Sequence, residues 1–142
     1  MQLAATMAGW AFTIAQVGLA HGMAHTLGAL HHVPHGAACG IVLPKVMRYN
    51  VDHATNKLAQ IAQTMGVNTA GMTERDAATA AADAVESLMK KVGHPMQLRE
   101  MGVPEENLPI CAFHAMADTA TLFNGRPVHD PNEVLQLYTQ AY

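Results

Sequence analysis

Apolar residues recur along this chain at helical rather than strand spacing. Leu3, Met7, Trp10 or Ala11, Ile14 and Val17 fall three or four residues apart and predict a first helix ending near Gly18. A second is predicted over Leu19 to Leu30, broken because Pro34 biases Val33 towards extended backbone. A third runs from Gly36 towards Tyr49. Asp52 or His53 to Met65 forms a fourth, stopped by Gly66. Thr73 with Asp76 resembles a capping box ahead of an Ala-rich helix that reaches about Val92 and ends at Gly93. Pro104, Glu105 and Glu106 place a proline and two acids in a first turn, predicting a helix to Asp118. Asp130, Pro131 and Glu133 open the last helix, which continues to the C-terminus. Valines and isoleucines do not alternate, so strands are not expected. The fold class is all-α, one domain over residues 1–142, a bundle of six or seven helices.

Composition sharpens this picture at one end. Only 13% of residues are charged, against about 25% in a typical soluble domain. Met1 to Pro44 contains no Lys, Arg, Asp or Glu. Such a stretch must be hidden in the domain's centre, against a partner, or in a bilayer. A bilayer span needs about 20 predominantly apolar residues, and here polar and glycine positions (Gln2, Thr6, Gly9, Thr13, Gln16, Gly18, His21) interrupt the run. No basic region precedes it, as a secretory signal requires. The expectation is a cytoplasmic chain without membrane insertion.

A net charge of −3 and a pI near 6.3 leave no basic stripe for nucleic acid. Cys39 and Cys111 form no Cys-x-x-Cys pair, and both are read as buried reduced thiols.

The informative residues are histidines. There are nine, five of them between His21 and His35. His21 and His25 are four apart, so on a helix they stand on one face about 6 Å apart along the axis. That arrangement can present two imidazoles to one small site. His35 follows the break at Pro34, beside Gly36, where backbone can approach closely. From these residues alone, a metal site and ordinary core or surface histidines remain open alternatives. His31 and His32 point in different directions and are read as solvated loop residues. His53, His94, His114 and His129 are isolated and not expected to coordinate metal.

The run Gly18-Leu19-Ala20-His21-Gly22-Met23-Ala24-His25, with Gly28-Ala29, Pro34-His35-Gly36 and Leu43-Pro44 through Val46-Met47 to Tyr49-Asn50, closely resembles the signature of iron-containing (group III) alcohol dehydrogenases. Lys57-Leu58-Ala59, Ile61-Ala62 and Met65-Gly66-Val67 resemble a further family stretch. So do Leu98-Arg99-Glu100-Met101-Gly102-Val103 with Leu108-Pro109, and the ending from Leu135 to Tyr142. One departure is Asn124-Gly125-Arg126-Pro127, where Asn-Pro-Arg is more usual.

The resemblance covers essentially all 142 residues but only the C-terminal portion of the family's length. The N-terminal dinucleotide-binding α/β domain is expected to be absent, and no Gly-x-Gly-x-x-Gly is present. The resemblance implies a divalent metal, Fe²⁺ and sometimes Zn²⁺, held by one Asp and three His, two of which map to His21 and His35. The other Asp and His belong to a motif with no counterpart here. His25 corresponds to a histidine beside the nicotinamide and the alcohol, implicated in catalysis and not a primary ligand. The implied chemistry is hydride transfer between a small alcohol or aldehyde and NAD(P), with the metal as Lewis acid. With only two imidazoles, this chain alone is expected to bind Zn²⁺ or Ni²⁺ weakly and to be catalytically inactive. Its partners are expected to be the missing α/β domain, or a second copy through the apolar 1–44 segment. The alternatives are a stand-alone His-rich helical domain that binds metal without catalysis, and a plain interaction domain.

Overall fold

The computed structural model describes residues 1–142. Seven helices of ten residues or more are present: α1 (Gln2–Ala15), α2 (Leu19–His31), α3 (His35–Tyr49), α4 (Val51–Thr64), α5 (Glu74–Lys91), α6 (Leu108–Ala117) and α8 (Pro131–Ala141). A single turn, α7 (Thr119–Leu122), and two 3₁₀ turns, Leu98–Met101 and Glu105–Asn107, complete the helical content. The all-α bundle expected from periodicity is the one observed.

The main core is where α2, α3, α6 and α8 meet. Leu19, Met23 and Leu27 recur every fourth residue and are fully buried against Ala38, Ile41 and Val42 of α3, Cys111 and Ala115 of α6, and Val134 and Tyr138 of α8. Complete burial of each large aliphatic side chain stabilises by about 1.5–3 kcal/mol. The Tyr138 hydroxyl, taken out of water with its ring, donates to the Met23 carbonyl at 2.8 Å. A second core joins the α4–α5 hairpin: Met47, Val51, Leu58 and Ala62 meet Ala78, Ala81 and Ala82. Alanines on α5 let the two helices approach closely. Arg48 of α3 reaches across to Asp83 (2.6 Å) and Glu86 (2.9 Å), and Lys45 also meets Glu86 (3.3 Å).

Side-chain caps open α5, α7 and α8. The Thr73 hydroxyl accepts from Asp76 N. Asp130 and Glu133 form a reciprocal capping box at α8. The helix predicted from Pro104 to Asp118 is interrupted. Pro104 caps a 3₁₀ turn, and α6 begins only at Leu108. Pro109 is the physical reason: it has no N–H to return to the carbonyl four residues earlier, and its ring crowds that carbonyl. It fits the first turn of a new helix instead.

The Asn124–Pro127 departure is well anchored. The side-chain amides of Asn124 and Asn50 bond each other in both directions, at 2.9 and 3.1 Å. The Asn124 oxygen also accepts from Leu19 N, the first free donor of α2 (3.3 Å). Arg126 lies over the Tyr49 ring at 4.0 Å. Tyr49 OH donates to Glu133 at 2.8 Å.

The charge-free segment divides in two. Residues of α2 and α3 enter the main core, whereas α1 has no buried residue and leaves Leu3 (74%), Trp10 (74%) and Ile14 (87%) exposed. Gln16, at φ 63°, ends α1, and the chain turns through 105° into α2. No single helix is long and apolar enough to cross a membrane.

Candidate metal centre

Three of the sequence-singled histidines gather on one face. His21 stands in the first turn of α2, His25 one turn later, and His35 at the first position of α3. Their ring centroids lie 5.3 Å (His21–His35), 5.5 Å (His25–His35) and 5.9 Å (His21–His25) apart. The three do not play equal parts. The coordinating atoms of His21, His35 and Cys39 lie within 4.8 Å of one another. The His25 ring is engaged elsewhere: Nδ1 is 2.9 Å from an oxygen of Asp118.

The local backbone makes this convergence. Gly22 lets α2 approach α7, since a Cβ there would lie 2.4 Å from Thr121 Oγ1. That hydroxyl donates to the Ala115 carbonyl at 2.7 Å, holding the end of α6 and the turn α7 together. Asp118 then serves both neighbours. One carboxylate oxygen accepts from Ala120 N at 2.8 Å and caps α7; the other faces His25. On α3, Gly40 gives the His94 ring a bed, with His94 atoms within 2.4–2.5 Å of where a Cβ would stand. His94 Nδ1 donates to the Pro95 carbonyl at 2.7 Å, so this ring is a packing element.

The electrostatics favour uncharged donors. Burial, followed by the neighbouring His35 and His25, holds His21 below its ordinary value, against an opposing pull from Asp118. The neutral imidazole is the form that coordinates metal. Burial pushes the Cys39 thiol up. Two imidazoles and a thiol opening on one small space match the donor chemistry of a divalent transition metal. The residues present therefore fit the metal that the family signature implies.

Two readings of the sequence need correction. His31 is not a solvated loop residue: it ends α2, and its Nε2 is buried without a partner. His32 does lie exposed, in the left-handed conformation at the helix C-cap. Cys111 is buried, but Cys39 is only partly so, and its Sγ faces His35 Nε2 at 3.5 Å. Asp118 and Cys39 are the members of the site that the sequence reading missed. Cys39 carried a local signal, its four-residue spacing from His35. Asp118 carried none, being 93 residues from the histidine it touches.

Beside this cluster, His25, Thr26, Ala29, Leu30, His114 and Asp118 line a small open cavity.

Comparison with known proteins agrees with the signature. The model of the Fe-containing alcohol dehydrogenase family, C-terminal, matches residues 1–142. Lactaldehyde reductase of Escherichia coli is 42% identical over 142 residues, which is 100% of this chain and 37% of that protein. NAD-dependent methanol dehydrogenase of Bacillus methanolicus is 35% identical over 141 residues, 99% of this chain and 37% of that protein. A crystal structure of 1,3-propanediol oxidoreductase superposes with a TM-score of 0.91 at 39% identity, over 95% of this chain and 35% of that one. The chain thus spans little more than a third of the length of these relatives. It belongs to the iron-containing alcohol dehydrogenase family and corresponds to that family's C-terminal helical domain.

Proposed function

We propose that this chain supplies the His21 and His35 half of the metal centre of an NAD(P)-linked alcohol dehydrogenase, acting on a small alcohol or aldehyde and inactive when alone. The convergence of these two rings, 5.3 Å apart at the head of α2 and α3, carries the proposal. His21 and His35 would hold a divalent metal, Fe²⁺ by family and Zn²⁺ as the alternative. When bound, it supplies Lewis-acid polarisation of the alcohol or carbonyl oxygen.

The remaining work falls to residues of this chain. Asp118 accepts a hydrogen bond from His25 Nδ1–H, which fixes that tautomer and leaves Nε2 with the free lone pair. His25 in this setting accepts or returns a proton at Nε2, beside the cavity it lines with Thr26 and Leu30. The apolar residues of α1 give a place for the N-terminal portion of the family's length, which the resemblance implies is an α/β dinucleotide-binding domain. Without that portion, a second copy covers them. Two unpaired thiols accord with a cytoplasmic location.

An activity assay tests this reading. The 142-residue chain is expected to give no NAD⁺- or NADP⁺-dependent alcohol oxidation with Fe²⁺ present and to self-associate in light scattering. Mixing it with the remaining, N-terminal portion of lactaldehyde reductase is expected to produce a one-to-one complex and metal-dependent turnover that His21→Ala abolishes. Turnover by the chain alone would refute the proposal.

A further inference from the structure

We infer that the paired side-chain amides of Asn50 and Asn124 act as a remote cap on α2 and position His21 for metal binding. This deepens the reading above and rests on it, because His21 must first be a metal donor.

Helix α2 starts without a cap of its own. The residue before it is Gly18, which has no side chain to turn back onto the free N–H groups of the first turn. Asn, Asp, Ser or Thr usually fills that position. Here the capping oxygen comes from a residue 105 positions away, where Asn124 Oδ1 accepts from Leu19 N at 3.3 Å. Gly18 makes room for it, since a Cβ there would stand 3.1 Å from that same oxygen. The missing side chain and the distant amide are two halves of one arrangement.

The capping amide is itself held in one orientation. Asn124 Nδ2 donates to Asn50 Oδ1 at 2.9 Å and to the Arg126 carbonyl at 2.8 Å. Its Oδ1 also accepts from Asn50 Nδ2 at 3.1 Å. Asn50 Oδ1 accepts in addition from Arg126 N at 3.0 Å. Turning the Asn124 amide over would set its NH₂ against Leu19 N–H, donor against donor. Asn50 ends α3 and precedes α4, so the pair ties the head of α2 to the helix that carries His35. His21 follows Leu19 by two residues, and its N–H returns to the Gly18 carbonyl at 2.9 Å. The turn that bears the ring is thus the turn that Asn124 caps. Groups behind a metal-binding histidine set its orientation and with it the affinity of the site.

Zinc calorimetry and amide hydrogen exchange on the 142-residue chain test this together. Asn124→Ala is expected to weaken zinc binding by about fivefold and to speed exchange at the His21 and Gly22 amides by a similar factor. Exchange within α5 is expected to match wild type. Adding Gly18→Ser to Asn124→Ala supplies a hydroxyl cap locally, in the space the truncation opens, and is expected to restore both readouts. Should Asn124→Ala fail to fold, Asn50→Ala, which leaves the Asn124 oxygen in place, is expected to move both readouts in the same direction. Zinc affinity unchanged in the variant that folds overturns the positioning role and leaves the histidine site standing. Gly18→Ser that restores slow exchange in α2 but not zinc affinity also overturns it. Zinc bound equally well by wild type and His21→Ala brings down the metal reading and this inference with it.

Discussion

At Gly22 the packing leaves no room for a side chain, since Thr121 Oγ1 lies 2.4 Å from where a Cβ would be. Thr121 cannot simply swing away, because its hydroxyl holds the Ala115 carbonyl in a buried setting. Gly22→Ala is therefore expected to destabilise the fold by about 1–3 kcal/mol. Urea unfolding should show this as a lower midpoint at unchanged slope, and a midpoint equal to wild type would show that α7 yields freely. Residues whose role depends on neighbours in sequence were legible from the chain itself. His21 and His35 stand in an unusual run of small residues and histidines that carries the family signature. Cys39 was equally near but looked like any core thiol, because its spacing from His35 acquires meaning only once both side chains share an opening. Asp118 was invisible, since its partner becomes a neighbour only when α6 and α7 pack onto α2.

Between elements, α3 ties the α4–α5 hairpin to the body both by burying Met47 in the second core and by charge. Arg48 and Lys45 on α3 grip Glu86 on α5. The Arg48 hydrogen bond, aided by Lys45 and opposed by burial, holds Glu86 below its ordinary 4.5. A carboxylate lowered in this way contributes stability fully above its ordinary value, and the contribution is lost as pH falls through the lowered one. Stability is therefore expected to decline on acidification below about pH 4.5. Glu86→Gln should be less stable at neutral pH and lose less on acidification, while Asp52 and Glu133, lowered by their own partners, keep part of the slope. Denaturant titrations at a series of pH values measure this, and an identical pH profile in the variant would show the clamp to be inert. Helix boundaries set by local chemistry were readable in advance, as Thr73 and Asp130 illustrate. The interruption before α6 was readable too, from Pro109, but an acidic first turn after Pro104 offered a competing start. The one-turn α7 has too few residues to show any period and is recognisable only by its capping aspartate.

The molecule as a whole separates into a closed bundle and an arm without a partner. The absence of charge before Lys45 signals concealment, but not its form. Side chains of α2 and α3 reach the core, while those of α1 remain on the surface, with Leu3, Trp10 and Ile14 exposed. No rule of composition distinguishes these two halves of one uncharged run, because both are apolar and helical; the 105° turn at Gln16 decides it. The candidate metal site lies just past that turn, at the start of α2. Zinc calorimetry on the 142-residue chain tests the account most directly. One Zn²⁺ per chain is expected to bind wild type and His25→Ala alike, and none to bind the His21→Ala, His35→Ala double variant. Unchanged affinity in the double variant would contradict the account.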